Sequence, residues 1–296
     1  MKVVISIPAY NEESTIVSVL QDIKNVMSGT KYKYKISVIN DGSTDRTAEL
    51  AEQSGAVVTS HPQNYGLAET FKTEIKKATD LGADIIVHTD ADGQYPSENI
   101  PLFLKEIESG QDLVLGSRFL GKIEHMPLMK KIGNIAFSKA ISQITGTKIT
   151  DAQTGFRAFT KNIANLNIIS NHTYTQEQII RAIRNKFKIK EIPINAKKTR
   201  PSKLMKWHPI LQPFEYAIKA WINIFRLYRD FEPLKFFSYF AAALIIPGLL
   251  LGLFLTSLYL VTGRVGHIPA TVLTMLLITS GIQIWLFGFL ADMQKK

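Results

Sequence analysis

Short apolar runs rich in β-branched residues recur through the first 120 residues: Lys2 to Ile7, Tyr34 to Ile39, Ala56 to Ser60, Asp84 to Thr89 and Asp112 to Leu115. Between the first four the apolar positions change to helical spacing. Ile16, Val19, Leu20 and Ile23 make one stripe on a helix expected to begin near Glu12. Strands alternating with helices predict an α/β domain with a largely parallel, helix-covered sheet. Polar turns follow three of the strands: Pro8-Ala9-Tyr10-Asn11-Glu12, Asn40-Asp41-Gly42-Ser43-Thr44-Asp45 and Asp90-Ala91-Asp92-Gly93-Gln94. In such a sheet all three face one crevice beyond the carboxyl ends of the strands.

The C-terminal pattern is different. No charged residue occurs from Phe236 to Thr262, nor from Ile268 to Ala291. As helices these runs reach roughly 35 to 40 Å, enough to cross a hydrocarbon core of about 30 Å. Five residues separate them, which implies an antiparallel hairpin. Lys219, Arg226, Arg229 and Lys235 before it, and Lys295 and Lys296 after it, outweigh Arg264 in the turn. The positive-inside rule then puts the N-terminal domain and both termini in the cytoplasm. Two buried core helices are the alternative, and they would need a further domain around them.

Charge refines this picture. The net charge is +10, and between Arg181 and Lys235 fourteen Lys or Arg stand against four acidic residues, so this stretch carries the whole excess. It leads into the first apolar run, where basic residues are drawn to anionic headgroups. A lipid bilayer is therefore the expected partner, and nucleic acid is not. Trp207 to Phe231 interleaves apolar and basic residues at helical spacing, the pattern of a helix lying in the interface or packed on its own domain. The expected organisation is a catalytic domain over 1–205, amphipathic juxtamembrane helices over 206–233 and two membrane helices over 234–296. The N-terminal apolar stretch is too short for a signal peptide. With no cysteine, thiolate nucleophiles and cysteine-based zinc sites are excluded, and the six histidines show no ligand spacing.

The segment Ile85 to Gln94 carries the most specific chemistry. An apolar strand delivers Asp90 and Asp92 into a glycine turn, with the amide of Gln94 two residues on. Hard divalent cations take one or two protein carboxylates and complete their shell with water and phosphate oxygens. An ordinary polar turn would use the same residue types.

Five segments together resemble a known family in order and spacing: Pro8-Ala9-Tyr10-Asn11-Glu12, Asn40 to Thr47, Asn64-Tyr65-Gly66, Asp90-Ala91-Asp92-Gly93-Gln94 and Gly116-Ser117-Arg118-Phe119. They are similar to the family 2 glycosyltransferases of GT-A fold, a Rossmann-like architecture, and within it to polyprenyl-phosphate sugar transferases of the dolichol-phosphate mannose synthase type. The resemblance implies that Pro8, Tyr10, Asn11, Glu12, Asp41, Asp90 and Ala91 bind the nucleotide, and that Asp90, Asp92 and Gln94 hold Mg²⁺ or Mn²⁺. Asn40-Asp41 stands where many relatives have two acidic residues. It further implies that Arg118, Lys130, Lys131 and Asn134 meet the acceptor phosphate, lysines standing where relatives often have a second arginine. Asp151 would contact the sugar or orient a basic residue, and Arg157 would be catalytic or structural. Glu177 matches an acidic helix position, while Arg200, Ser202 and Lys203 resemble a basic segment that closes over the diphosphate, with Pro201 stiffening it. Asp92, Arg118, Asp151, Arg200 and Lys203 are thus the expected catalytic set.

The implied reaction moves one hexose from a nucleotide sugar, of GDP-mannose or UDP-glucose type, to a polyprenyl phosphate, with inversion. Transfer to a glycolipid hydroxyl or a growing polysaccharide is the alternative. Gln178-Ile179-Ile180-Arg181-Ala182 lacks the tryptophan of the processive Gln-x-x-Arg-Trp motif. A non-catalytic membrane protein that binds nucleotide sugar is the third reading. Self-association is left open.

Overall fold

Among the residues described by the computed structural model, which are 1–124, 126–168, 174–197, 212–264 and 267–294, seven strands form one sheet. They are β1 (Lys2–Ala9), β2 (Lys33–Asn40), β3 (Val57–Ser60), β4 (Ile85–His88), β5 (Leu113–Ser117), β6 (Arg157–Thr160) and β7 (Ile189–Pro193), in the spatial order β3-β2-β1-β4-β6-β5-β7. β1 pairs in parallel with β2 and β4, β2 with β3, and β5 with β7, while β6 runs antiparallel to both its neighbours. This is the mostly parallel α/β sheet expected. β4 and β5 are buried along their whole lengths, which is why Ile85 to Val87 and Leu113 to Leu115 read as continuous apolar runs rather than alternating ones.

Helices α1 (Ile16–Ser28), α2 (Thr47–Gln53), α3 (Leu67–Asp80) and α4 (Ile100–Glu108) connect the strands. The α1 stripe Ile16, Leu20, Ile23 and Met27 packs with Ile100, Phe103 and Leu104 of α4 and Val3, Ile5 and Ile7 of β1 in the main core. α1 starts four residues later than expected, because the Glu12 carbonyl first closes a turn, accepting from the amides of Thr15 (3.0 Å) and Ile16 (2.9 Å). Helices α5 (Leu128–Thr145), α6 (Lys161–Ala164) and α7 (Tyr174–Arg184) flank the reversed strand β6. β6 has no sequence signal: it is four residues long and begins with an arginine.

The chain divides into two compact units, Met1–Ile218 and Lys219–Lys296, and the division falls inside α8 (Gln212–Phe231). In the second unit, α9 (Pro233–Thr262) and α10 (Ile268–Met293) are long and apolar enough to cross a membrane. They pack closely because glycines line the contact: a Cβ on Gly281 would sit 2.5 Å from Ile245 Cγ1, and one on Gly288 2.6 Å from Phe237 Cβ. Small residues let membrane helices approach in this way. At the α8 segment of this unit, Trp221, Ile222 and Phe225 are exposed.

Candidate active site

Sheet register explains why distant residues meet. In β1 and β4, Ser6 lies beside His88, so Asp90 leaves the sheet at the level where β1 reaches Pro8. The antiparallel strand β6 enters between β4 and β5 at this same edge, with Arg157 level with both His88 and Leu115. The loop preceding β6 therefore brings Asp151 and Gly155 to the ends of β4 and β5. A Cβ on Gly155 would lie 3.1 Å from Asp90 Oδ1, so this loop packs directly against the carboxylate.

Asp90 and Asp92 sit in one turn, where the Gln94 amide donates to Asp92 Oδ1 at 2.9 Å. A third of the Asp90 side chain is solvent-accessible, yet protein surrounds it elsewhere, as at the floor of a crevice. Burial pushes its pKa up to about 6; Asp92 and Glu74 add to the rise, and His88 and Arg118 oppose it. Gln94 is buried, and its side-chain amide nitrogen has no hydrogen-bond partner. Among the described residues no group of three or more His, Asp or Glu could hold a metal ion. Two neighbouring carboxylates and one amide oxygen fit a hard divalent cation whose remaining ligands come from phosphate and water.

Arg118 and Asp151 form a buried, bidentate ion pair. Arg118 Nε donates to Oδ2 at 2.7 Å, Nη2 to Oδ1 at 2.9 Å, and the Arg118 backbone amide to Oδ2 at 3.1 Å. Burial alone would lower the arginine pKa, but the Asp151 hydrogen bonds raise it, and the guanidinium stays charged. Glu191 of β7 holds this arrangement from behind, accepting from the amides of Thr150 (2.9 Å) and Asp151 (3.0 Å). In the sequence Glu191 merely precedes the short run Ile192-Pro193-Ile194. Its capping role depends on β7 pairing with β5, which no local pattern announces.

On α5, Lys130 and Asn134 share the inward face. Lys130 is partly buried, and its pKa is lowered by burial and by the charge of Arg118, against the pull of Asp92 and Asp90. Asn134 is buried, while Lys131, one residue round the helix, faces solvent. The structure therefore brings Lys130 and Asn134 towards the arginine and leaves Lys131 outside.

At the ends of β1 and β2, Tyr10 is exposed and Asn11 adopts a left-handed φ of 54°. The Asn11 side chain accepts from the Thr44 amide at 2.8 Å, and the Glu12 amide donates to Thr47 Oγ1 at 2.8 Å, which ties the first turn to the second. Pro8 lies in β1, and Ala91 is buried. Asp41 is buried and accepts from the amides of Tyr65 and Gly66, both at 2.9 Å, and from His61 Nδ1 at 2.8 Å. Burial raises its pKa, but these hydrogen bonds more than compensate, so the group is held below the usual carboxylate range. Gly42 must lack a side chain: its φ is 69°, and a Cβ would sit 2.4 Å from the Gln63 carbonyl carbon. Asp41 thus organises the loop that presents the exposed Tyr65.

Beneath Asp90 lies a buried pair that the sequence reading passes over. His88 Nδ1 is 2.7 Å from Glu74 Oε2, and His88 Nε2, unpaired, is 4.0 Å from Asp90 Oδ1. A histidine within an apolar strand, two residues before Asp90, was the available signal. Arg157 is fully buried and donates to the carbonyls of Thr154 and Thr175 and to Gln178 Oε1. It is out of reach of solvent and serves as a strut. Glu177, also buried, accepts from Arg181 Nε at 2.6 Å. Arg200 and Lys203, with Ser202, lie outside the described residues.

The Asp90 shift gives a test. A carboxyl bound to its proton more tightly in the folded state burdens the fold above its folded pKa and not below its unfolded one. Asp90→Asn is therefore expected to raise the thermal midpoint of the metal-free protein at pH 7.5, by progressively less as pH falls towards 4. Equal gains at both ends of that range would dismiss an electrostatic cause.

Paired carboxylates, a fixed arginine and a turn that only glycine permits thus converge on the carboxyl edge of one mostly parallel sheet. Residues 4–166 match the model for glycosyl transferase family 2, and the chain belongs to that family of enzymes. It is 37% identical over 189 residues to a dolichyl-phosphate hexose transferase of Haloferax volcanii, covering 62% of this chain and 78% of that protein. It is 34% identical over 215 residues to the UDP-N-acetylglucosamine–dolichyl-phosphate N-acetylglucosaminyltransferase of Methanococcus voltae, covering 64% and 82%. Among solved structures, glucosyl-3-phosphoglycerate synthase from Mycobacterium tuberculosis, in complex with Mn²⁺, UDP and phosphoglyceric acid, superposes with a TM-score of 0.59 at 18% identity over 77% of both chains.

Proposed function

We propose that the protein is a membrane-anchored, cytoplasm-facing enzyme that transfers one hexose from a nucleotide sugar to the phosphate of a polyprenyl phosphate, with inversion at the anomeric carbon. The observation that carries this reading is the placement, at one sheet edge, of Asp90 and Asp92 beside the Arg118–Asp151 pair, with Lys130 close enough to sense both charges. Acid and base are thus arranged for two phosphates, one to be held through a cation and one through basic side chains.

Asp90, Asp92 and the Gln94 amide would hold Mg²⁺ or Mn²⁺, which supplies charge stabilisation for a departing nucleoside diphosphate. The remaining work belongs to the chain. The turns at Tyr10 and Tyr65 flank the nucleotide, and Asp41 acts by fixing the Tyr65 loop. The Arg118 guanidinium, held in plane by Asp151 through Nε and Nη2, would offer Nη1 and its charge to an acceptor phosphate. Lys130 adds charge and Asn134 a hydrogen bond. A phosphate monoester, with a second pKa of about 6, is largely ionised at neutral pH, so no general base is required. The Lys197 amide donates to the Gln94 carbonyl at 3.0 Å, which ties Lys197 to the turn of Asp90 and Asp92; Arg200 and Lys203 follow three and six residues later in the sequence, and we assign them to the diphosphate.

The two named relatives carry different sugars to dolichyl phosphate, which supports the acceptor class while leaving the donor to experiment. Detergent-purified protein is expected to move radiolabel from one member of a UDP- and GDP-sugar panel into organic-extractable lipid, given a polyprenyl phosphate and Mg²⁺ or Mn²⁺. Label transferred only to water, or to a glycolipid hydroxyl, would overturn the assignment.

A further inference from the structure

We propose that His88, anchored by Glu74, is a positioning residue for the metal ligand Asp90: it donates from Nε2 to one carboxylate oxygen and so leaves the other for the cation. This role rests on the metal site assigned above and adds to it a buried pair behind the carboxylate.

His88 and Glu74 are both buried. Register puts His88 beside Ser6 of β1 and Arg157 of β6, and α3 lays Glu74 against it, with Glu74 Oε2 2.7 Å from His88 Nδ1. Phe71, also on α3, meets the imidazole edge-on, with centroids 5.2 Å apart and planes at 84°, and Tyr174 of α7 does so at 6.3 Å and 72°. Two rings and one carboxylate therefore fix the direction of Nε2. A buried ionisable pair is costly unless its remaining polar atoms are also satisfied, and here His88 Nε2 and Glu74 Oε1 have no partner. The group that Nε2 faces is Asp90 Oδ1, at 4.0 Å.

The carboxylate is the movable half of this contact. A third of the Asp90 side chain is accessible, and no hydrogen bond to either of its oxygens is formed among the described residues. The Gly155 loop closes off one side, where a Cβ would stand 3.1 Å from Oδ1 and 3.2 Å from Oδ2. The gap to Nε2 exceeds a hydrogen bond by about 1 Å, which a small rotation of the carboxylate closes. With carboxylate oxygens facing both ring nitrogens, Nε2 meets Asp90 as a donor. Groups that orient a metal ligand in this way are worth about ten- to a hundredfold in metal affinity.

The test uses full-length protein in detergent and reads Mn²⁺ binding by electron paramagnetic resonance, as loss of the free-ion signal, with UDP and separately with GDP. Two double variants share Glu74→Leu, so that no carboxylate is left buried alone. The first adds His88→Leu; the second adds His88→Gln, whose amide N–H still reaches towards Asp90. Replacing both buried polar partners by apolar groups is close to neutral for stability. The first is expected to bind Mn²⁺ about tenfold more weakly than the parent or worse, and the second within about threefold of the parent. Parent-like affinity in the first would overturn the proposal, because the donor is then dispensable. A tenfold loss in the second would overturn it by itself, since packing and not donation then sets the affinity, and this comparison does not need the first variant to fold. A parent that binds no Mn²⁺ with either nucleotide would sink the metal site and the role of His88 together. A parent that binds it, beside a first variant that binds it equally, would remove His88 alone.

Discussion

Replacing Asp92 with alanine is expected to reduce sugar transfer by about a thousandfold or more while the protein still folds. The Asp92 side chain is only partly buried, and among the described residues its hydrogen bond from the fold comes from the Gln94 backbone amide, an interaction worth about 1 kcal/mol. Its loss should leave the domain intact. A bound cation contributes several kcal/mol of charge stabilisation to a departing diphosphate, and each 1.36 kcal/mol is about a tenfold change in rate. Loss of about 4 kcal/mol therefore gives the stated factor. Label transfer into lipid measures the rate, and the thermal shift produced by Mn²⁺ with nucleoside diphosphate measures binding. Activity within tenfold of the parent would remove Asp92 from the metal site.

Asp151→Ala should be the most destabilising single exchange at the site, by about 3–5 kcal/mol, because it leaves the buried guanidinium of Arg118 uncompensated. Arg118 is 4% exposed and Asp151 fully buried, and the Arg118 backbone amide loses its acceptor in the same step. Combining Asp151→Ala with Arg118→Met should recover much of the loss, since removing both charges costs far less than removing one. Urea unfolding of the detergent-solubilised protein, followed by circular dichroism, measures both variants. A single-variant cost under 1 kcal/mol, or a double variant no better than the single, would contradict a structural ion pair. Activity separates the roles further: the double variant should remain inactive although its stability returns.

Helix α5 shows where pattern reading stops. Its sequence is apolar on both faces, Phe137 and Ile141 on one and Ile132 and Ile135 on the other, so no single stripe stands out. Only the packed structure shows which face is used. His88 poses the opposite problem. It interrupts an apolar strand conspicuously, but its meaning depends on Glu74, fourteen residues earlier on α3. Arg157 was open to a catalytic or a structural reading until burial decided it. Lys130 and Lys131 were equivalent in the sequence, and helix geometry turned one inward and the other out.

The sequence by itself determined the α/β alternation, the strand-end turns with Asp41, Asp90 and Asp92, and the two apolar helices. These are local properties: residue periodicity fixes a strand or helix, and unbroken apolarity fixes a helix long and apolar enough to cross a membrane. The tertiary structure alone decided that β6 runs backwards between β4 and β5. That reversal carries Asp151 to Arg118 and Gly155 to Asp90, and the pairing of β7 with β5 carries Glu191 to the Asp151 turn. Such contacts join residues more than thirty positions apart, so they arise from strand order and register, which depend on how all the apolar faces are buried at once.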